Sequence, residues 1–339
     1  MIIDAEAQDR EDIQIVGSST VFPFSSAVAQ EFGRKTGYRS PTVEATGSGG
    51  GISRFCDGLG FSFPDIANSS RRIKQSEYDR CVRNGVGDII ELKIGYDGIV
   101  LANATQAARY DLRLRDIYLA LAKDIPDGSG AVGAVKPNPY TNWSEIDPRY
   151  PDAKIEVLGP PGTSGTRDAF NELGIEAGCN TFPEMKALKS QDKKRHRSLC
   201  RIIRNDGDYY IPEGENDNLI IQKLKKDYGR LGVFGFSFLR QNSHVIAGAP
   251  IDGVAPTFEN ISDKSYPIAR ALYIYIKRGH MDAVPGLREF LLSFTQEKAW
   301  GPTGYLADKG LIPMKREERD YYAQVARDLT PLRLDDGDS

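Results

Sequence analysis

A chain of 339 residues, 40% hydrophobic and 27% charged, has the composition of an ordinary globular protein and the length for two domains or one large one. Its 44 Lys and Arg against 47 Asp and Glu leave a net charge of −3, so no overall field gathers nucleic acid or an anionic membrane. A bound anion therefore needs a local site, and no apolar run approaches the ~18–20 residues of a membrane span.

The four cysteines are Cys56, Cys81, Cys179 and Cys200. Their even number and short spacings point to two bridges, Cys56–Cys81 and Cys179–Cys200, and to an oxidising compartment; four buried thiols are the alternative. There is no Cys-x-x-Cys pair, and the histidines are only His196, His244 and His280, so no metal site and no cofactor are expected. Residues 1–10 lack the basic-then-apolar pattern of an export signal, and Met1 reads as an added start before a mature sequence.

In chain order, Ile13 to Val16 reads as a strand and runs into Gly17-Ser18-Ser19-Thr20-Val21, then Pro23 and a helix with Phe24, Val28 and Phe32 on one face. Gly37 ends that helix. Thr42 to Ala45 is a short strand, followed by Gly47-Ser48-Gly49-Gly50-Gly51 and a helix from Ile52 to about Cys56. This glycine run fits neither a Rossmann fingerprint nor a P-loop. Asp65-Ile66-Ala67 is a buried strand, with Asn68-Ser69-Ser70-Arg71-Arg72 and a helix Gln75 to Arg83 behind it. Ile89 to Asn103 is a long strand, and Arg115 to Ala122 a helix.

A strand Lys154 to Leu158 leads into Gly162-Thr163-Ser164-Gly165-Thr166-Arg167 and a helix from Asp168 to Leu173. The stretch from Phe182 to Arg201 is strongly basic and reads as a solvated face. A helix follows at Leu219 to Tyr228, then a buried strand Leu231 to Phe236. Tyr266 to Lys277 is a second long strand, matched in length and type to Ile89–Asn103. Helices Gly286 to Gln296 and Glu317 to Leu329 and an acidic tail complete the chain.

Strands alternating with helices argue for an α/β fold with mixed, mainly parallel sheets. Three strand-to-helix turns are rich in Gly, Ser and Thr. The first N–H groups of a helix have no internal partner and carry partial positive charge, and hydroxyls add further donors. Such turns are suited to holding an oxyanion; each is also an acceptable helix cap. The two long strands would be crossovers between two lobes, with donors facing a cleft between them. The expected division is lobe 1 over residues 1–102 with 268–339 returning to it, and lobe 2 over 103–267.

These stretches resemble the phosphate-binding proteins of bacterial ABC phosphate (Pst) uptake systems, which have the two-lobe type II periplasmic binding-protein fold. The resemblance rests on Val16-Gly-Ser-Ser-Thr-Val-Phe-Pro23, Gly47-Ser-Gly-Gly-Gly-Ile52, Asp65-Ile-Ala-Asn-Ser-Ser-Arg71, Gly159-Pro-Pro-Gly-Thr-Ser-Gly-Thr-Arg167, Glu213-Gly-Glu-Asn-Asp-Asn218 and Leu231-Gly-Val-Phe-Gly-Phe-Ser237. It implies a periplasmic, monomeric, non-enzymatic protein that binds hydrogen phosphate and delivers it to membrane permease subunits, without contact with nucleic acid. It further implies that Thr20 and the Val21 N–H contact the anion, that Ser48 donates through N–H and hydroxyl, and that Ser164, Gly165 and Thr166 form the second cradle.

Two positions depart from the family pattern. Ser70 stands where an aspartate usually accepts a proton from phosphate, and Pro160 stands where an arginine is usual. Arg71 and Arg167 are the candidates to replace that charge, and Asp206 or Asp217 could supply the acid. Another oxyanion (arsenate, sulfate, molybdate) is therefore an alternative ligand. A phosphatase-like hydrolase is a further one, although Thr166 breaks the G-x-S-x-G pattern around Ser164.

Overall fold

The computed structural model describes residues 10, 12–162, 164–213 and 217–334, without the side chain of Asp217. The start at Met1, Thr163 of the turn at residues 162–167 (the central turn), residues 214–216 and the end of the acidic tail lie outside them. The chain divides into two compact α/β units: one runs up to Tyr96 and resumes at Arg270, the other is Asp97–Ala269.

In the first unit, β1 (Gln14–Gly17) is followed by α1 (Phe22–Lys35), β2 (Thr42–Ala45), α2 (Ser48–Phe55), β3 (Ile66–Ser69) and α3 (Gln75–Arg83). β1 pairs in parallel with β2 and with β3. The strand Ala269–Lys277 runs antiparallel to β3, with Ile274 opposite Asn68, and lies next to β4 (Ile89–Ala104). The core is made where these apolar strands meet the inner faces of their helices: Ile15, Val28, Ile52, Phe55, Ile66, Leu272 and Ile274 are all buried. Phe32 of α1 meets Phe290 edge-on at 5.5 Å, a favoured aromatic geometry.

The glycine run differs from its expected role. It is not a loop before a helix at Ile52; the helix begins at Ser48 and takes the glycines into its first turns. Packing explains this. A Cβ on Gly51 would lie 2.3 Å from the Gly17 Cα, and one on Gly17, at φ +132°, would lie 2.2 Å from the Asn68 carbonyl oxygen. Only glycine lets α2 approach the end of β1 so closely. The three strand ends and the start of α2 are thereby drawn together.

In the second unit, Val157–Gly159 pairs in parallel with Tyr210–Pro212 and with Leu231–Gly235. The later half of β4 runs antiparallel to Leu231–Gly235 and to Ile246–Gly248. The helix after the central turn is short, Gly165–Phe170, and continues as a π-helical turn, Asn171–Glu176. The basic stretch folds as two helices, Pro183–Gln191 and Lys193–Cys200. The second long strand starts at Ala269, later than Tyr266, and the strand before the central turn starts at Val157, later than Lys154.

Both cysteine pairs are bridged, Cys56 to Cys81 across 25 residues and Cys179 to Cys200 across 21. Loops of that length constrain the unfolded chain by about 3 kcal/mol each. A Cys179→Ser/Cys200→Ser variant is accordingly expected to unfold at lower urea concentration, with a loss of about 3 kcal/mol; an unchanged midpoint would show that the bridge adds nothing.

At the base of the first unit, Asp65 is wholly buried and accepts from the Gln14 N–H at 2.8 Å and from His280 Nδ1 at 2.6 Å, and it pairs with Arg10. The Gly60 N–H donates to His280 Nε2, which fixes the hydrogen on Nδ1. Lys277 is also buried; its Nζ donates to the Gly58 carbonyl and sits 5.2 and 5.3 Å from the ring centres of Phe55 and Phe63.

Burial pulls the Lys277 pKa from 10.5 down to about 8, against the opposing pull of Asp65. Between those values the unfolded chain holds a proton that the folded chain has released, so stability rises with pH from about 8 to about 10.5. Thermal melts across that range are expected to show the rise in the wild type and not in Lys277→Met; parallel curves would contradict it.

Candidate functional site

The C-terminal ends of β1, β2 and β3 each open into a turn of small polar residues, which is the end of an α/β sheet where ligands bind. Thr20 ends the first turn, Ser48 begins α2, and Ser70 follows β3. Ser48 Oγ lies 3.0 Å from Ser70 Oγ and accepts the Ser70 N–H at 3.1 Å. Arg270, the second residue of the strand Ala269–Lys277, joins them. Its Nη1 donates to Ser70 Oγ at 3.0 Å and its Nη2 to Thr20 Oγ1 at 2.6 Å. One guanidinium fork thus spans two hydroxyls from turns 50 residues apart in sequence.

The hydrogen-bond count gives this set its polarity. Ser48 Oγ accepts from a backbone N–H and Ser70 Oγ accepts from Arg270, so only one of the two serine hydrogens is needed between them. The remaining hydrogen and the guanidinium N–H groups make a donor-rich cluster, the chemistry that holds an anion. Ser70 is buried, and Thr20, Ser48 and Arg270 are half-buried.

The other sequence candidates in the first unit are placed differently. The Val21 N–H donates to Ser18 Oγ at 3.4 Å, and Val21 itself is buried at the start of α1. Arg71 forms a bidentate pair with Glu77, at 2.8 and 2.6 Å. This pair holds Glu77 below the usual carboxylate range despite its burial. Arg72 is paired with Glu91, which also accepts from the Tyr275 hydroxyl at 2.9 Å. Arg270 was not among the sequence candidates. Its only sequence signal was a charge placed in an otherwise apolar Tyr- and Ile-rich strand.

In the second unit, Ser164 is the N-cap of Gly165–Phe170: its Oγ accepts the Thr166 N–H at 3.2 Å. Ser164 is buried, and Gly165 and Thr166 supply the first N–H groups of the helix. Arg167 stacks on Tyr210, 3.9 Å from the ring centre, and its Nε donates to Asn171. The Tyr210 hydroxyl donates to the Pro160 carbonyl at 2.8 Å, so the backbone at Pro160 is tied to the same ring. Asp206 is exposed, and Asp217 opens the helix Asp217–Leu224. His196 faces Asn180, His280 faces Asp65, and His244 is exposed; among the described residues none bonds to Ser164.

Comparison with known proteins agrees with this architecture. The PBP superfamily domain matches residues 3–295. The protein SphX of Synechococcus elongatus is 30% identical over 281 residues, 81% of this chain and 70% of the relative. The phosphate-binding protein PstS of Staphylococcus saprophyticus is 24% identical over 320 residues, covering 92% of this chain and 82% of its own. The crystal structure of a possible phosphate binding protein from Planctomyces limnophilus superposes with a TM-score of 0.73 at 25% identity, covering 94% of this chain and 98% of that one. The chain belongs to the PBP superfamily, among the SphX and PstS proteins.

Proposed function

We propose that this protein binds inorganic phosphate outside the cytoplasm and delivers it to the permease of an ABC phosphate importer. The observation that carries the proposal is the convergence of Thr20, Ser48 and Ser70 with Arg270. Hydroxyls alone would serve as helix caps. A guanidinium drawn in from a distant strand adds the kind of charge a phosphate dianion requires. Ser164, Gly165, Thr166 and Arg167 are the further donors in this reading; the Val21 N–H is already given to Ser18. The names of the PstS relatives support it. So does membership in a superfamily of substrate-binding proteins, which also argues against a hydrolase.

Ser70 favours one qualification of ligand class. A hydroxyl both donates and accepts, so at this position it bonds a protonated phosphate or an unprotonated sulfate. A carboxylate would repel sulfate. Equilibrium dialysis with radiolabelled phosphate is expected to show retention by the stripped protein, and a large excess of sulfate is expected to lower it. Retention untouched by sulfate would overturn the selectivity reading; absence of retention would overturn the phosphate reading.

A further inference from the structure

The second unit carries a concentrated positive face that phosphate binding does not use. Residues 186–197 hold six Lys and Arg against one acid, Asp192, in a chain whose net charge is −3. Lys186, Lys189, Lys193, Lys194, Arg195 and Arg197 are all exposed. Lys189 is neutralised by the buried Glu176, at 2.9 Å, and Arg195 donates to the Gly133 carbonyl. The side chains of Lys186, Lys193, Lys194 and Arg197 make neither a hydrogen bond nor an ion pair among the described residues.

Local physics does not explain this arrangement. Lys193, Lys194 and Arg195 are the first three residues of the helix Lys193–Cys200, whose first turn contains no acid. Cations there oppose the positive end of the helix dipole. Only the Asp192 cap, which accepts the Arg195 N–H at 2.9 Å, offsets them. The face is nevertheless rigidly mounted: Met185, Leu188, His196 and Cys200 are buried beneath it, and the Cys179–Cys200 bridge closes its end. Two exposed apolar side chains adjoin it: Val132, next in sequence to the Gly133 whose carbonyl accepts from Arg195, and Ile202, just past the helix.

We propose that the helix pair Pro183–Gln191 and Lys193–Cys200 is a docking face for an anionic phospholipid surface. Clusters of four to eight Lys and Arg are what such surfaces attract, each cation near the surface adding about 1 kcal/mol, or roughly a fivefold gain in partition. The chemistry selects lipid over nucleic acid, because the pair holds no exposed aromatic ring on which a base could stack. It selects lipid over a protein hot spot because lysine point charges dominate and no aromatic anchor is present. The net acidic remainder of the chain would orient the molecule with this face toward the bilayer.

The test is co-sedimentation of the full chain with phosphatidylcholine vesicles, with and without phosphatidylglycerol. Binding is expected only to the anionic vesicles, and it should weaken as ionic strength rises from about 0.01 M to about 0.15 M. Lys193→Glu/Lys194→Glu/Arg197→Glu is expected to lower partition on the order of a hundredfold or more, without lowering the melting temperature. Lys225→Glu/Lys226→Glu, on another exposed surface, is expected to leave partition close to wild type. No preference for anionic vesicles, full binding by the triple variant, or equal loss in the control variant would each overturn the proposal.

Discussion

Replacing Arg270 by methionine is expected to weaken phosphate binding by roughly two to four orders of magnitude while leaving the fold intact. The fork donates to Ser70 and to Thr20 and so brings a cation to two of the three hydroxyls. Hydrogen bonds to charged groups contribute about 1.5–3 kcal/mol each, and two of them convert to that loss in affinity. Arg270→Lys keeps the charge but loses the planar fork, so it should recover only part of the affinity. Titration calorimetry on both variants, with circular dichroism melts beside it, separates the outcomes. An Arg270→Met protein that binds like the wild type would remove this residue from the site.

Asp65→Asn is expected to be the most damaging single change outside the site. The wild-type carboxylate is wholly buried and meets Arg10, His280 and the Gln14 N–H. The amide keeps the shape but removes the negative charge, which takes the ion-pair partner from Arg10 and the larger opposing charge from the buried Lys277. Breaking a buried pair in this way costs about 3–5 kcal/mol. Urea unfolding followed by a probe in the first unit is expected to show that loss. Lys277→Met, by contrast, removes a buried cation from the same cluster, so the double variant should recover part of the stability lost by Asp65→Asn alone.

What was legible in the sequence was local. Strand, turn and helix follow one another within a few residues, so periodicity was enough for α3 at Gln75–Arg83 and for the start of β4 at Ile89. The hydroxyl-rich turns were visible for the same reason, and the cysteine pairs are close in sequence. The charge at the site was not legible. Arg270 reaches its partners across 200 and 250 residues, and no spacing rule spans that distance. Arg71 looked suitable by position, yet Glu77, six residues further on in the first turn of α3, pairs with it. The Asp65–His280 contact, 215 residues apart, was hidden in the same way. The helical glycines of α2 were misread because their reason is a neighbour, the bare Gly17 backbone, and not their own sequence.

The central claim is that the first-unit hydroxyls and Arg270 hold phosphate. Isothermal calorimetry with phosphate tests it most directly, on protein unfolded and refolded to strip any bound anion. The account predicts one-to-one binding at micromolar or tighter affinity, weakened by Arg270→Met and by Ser48→Ala. No heat with phosphate from a folded protein would contradict it.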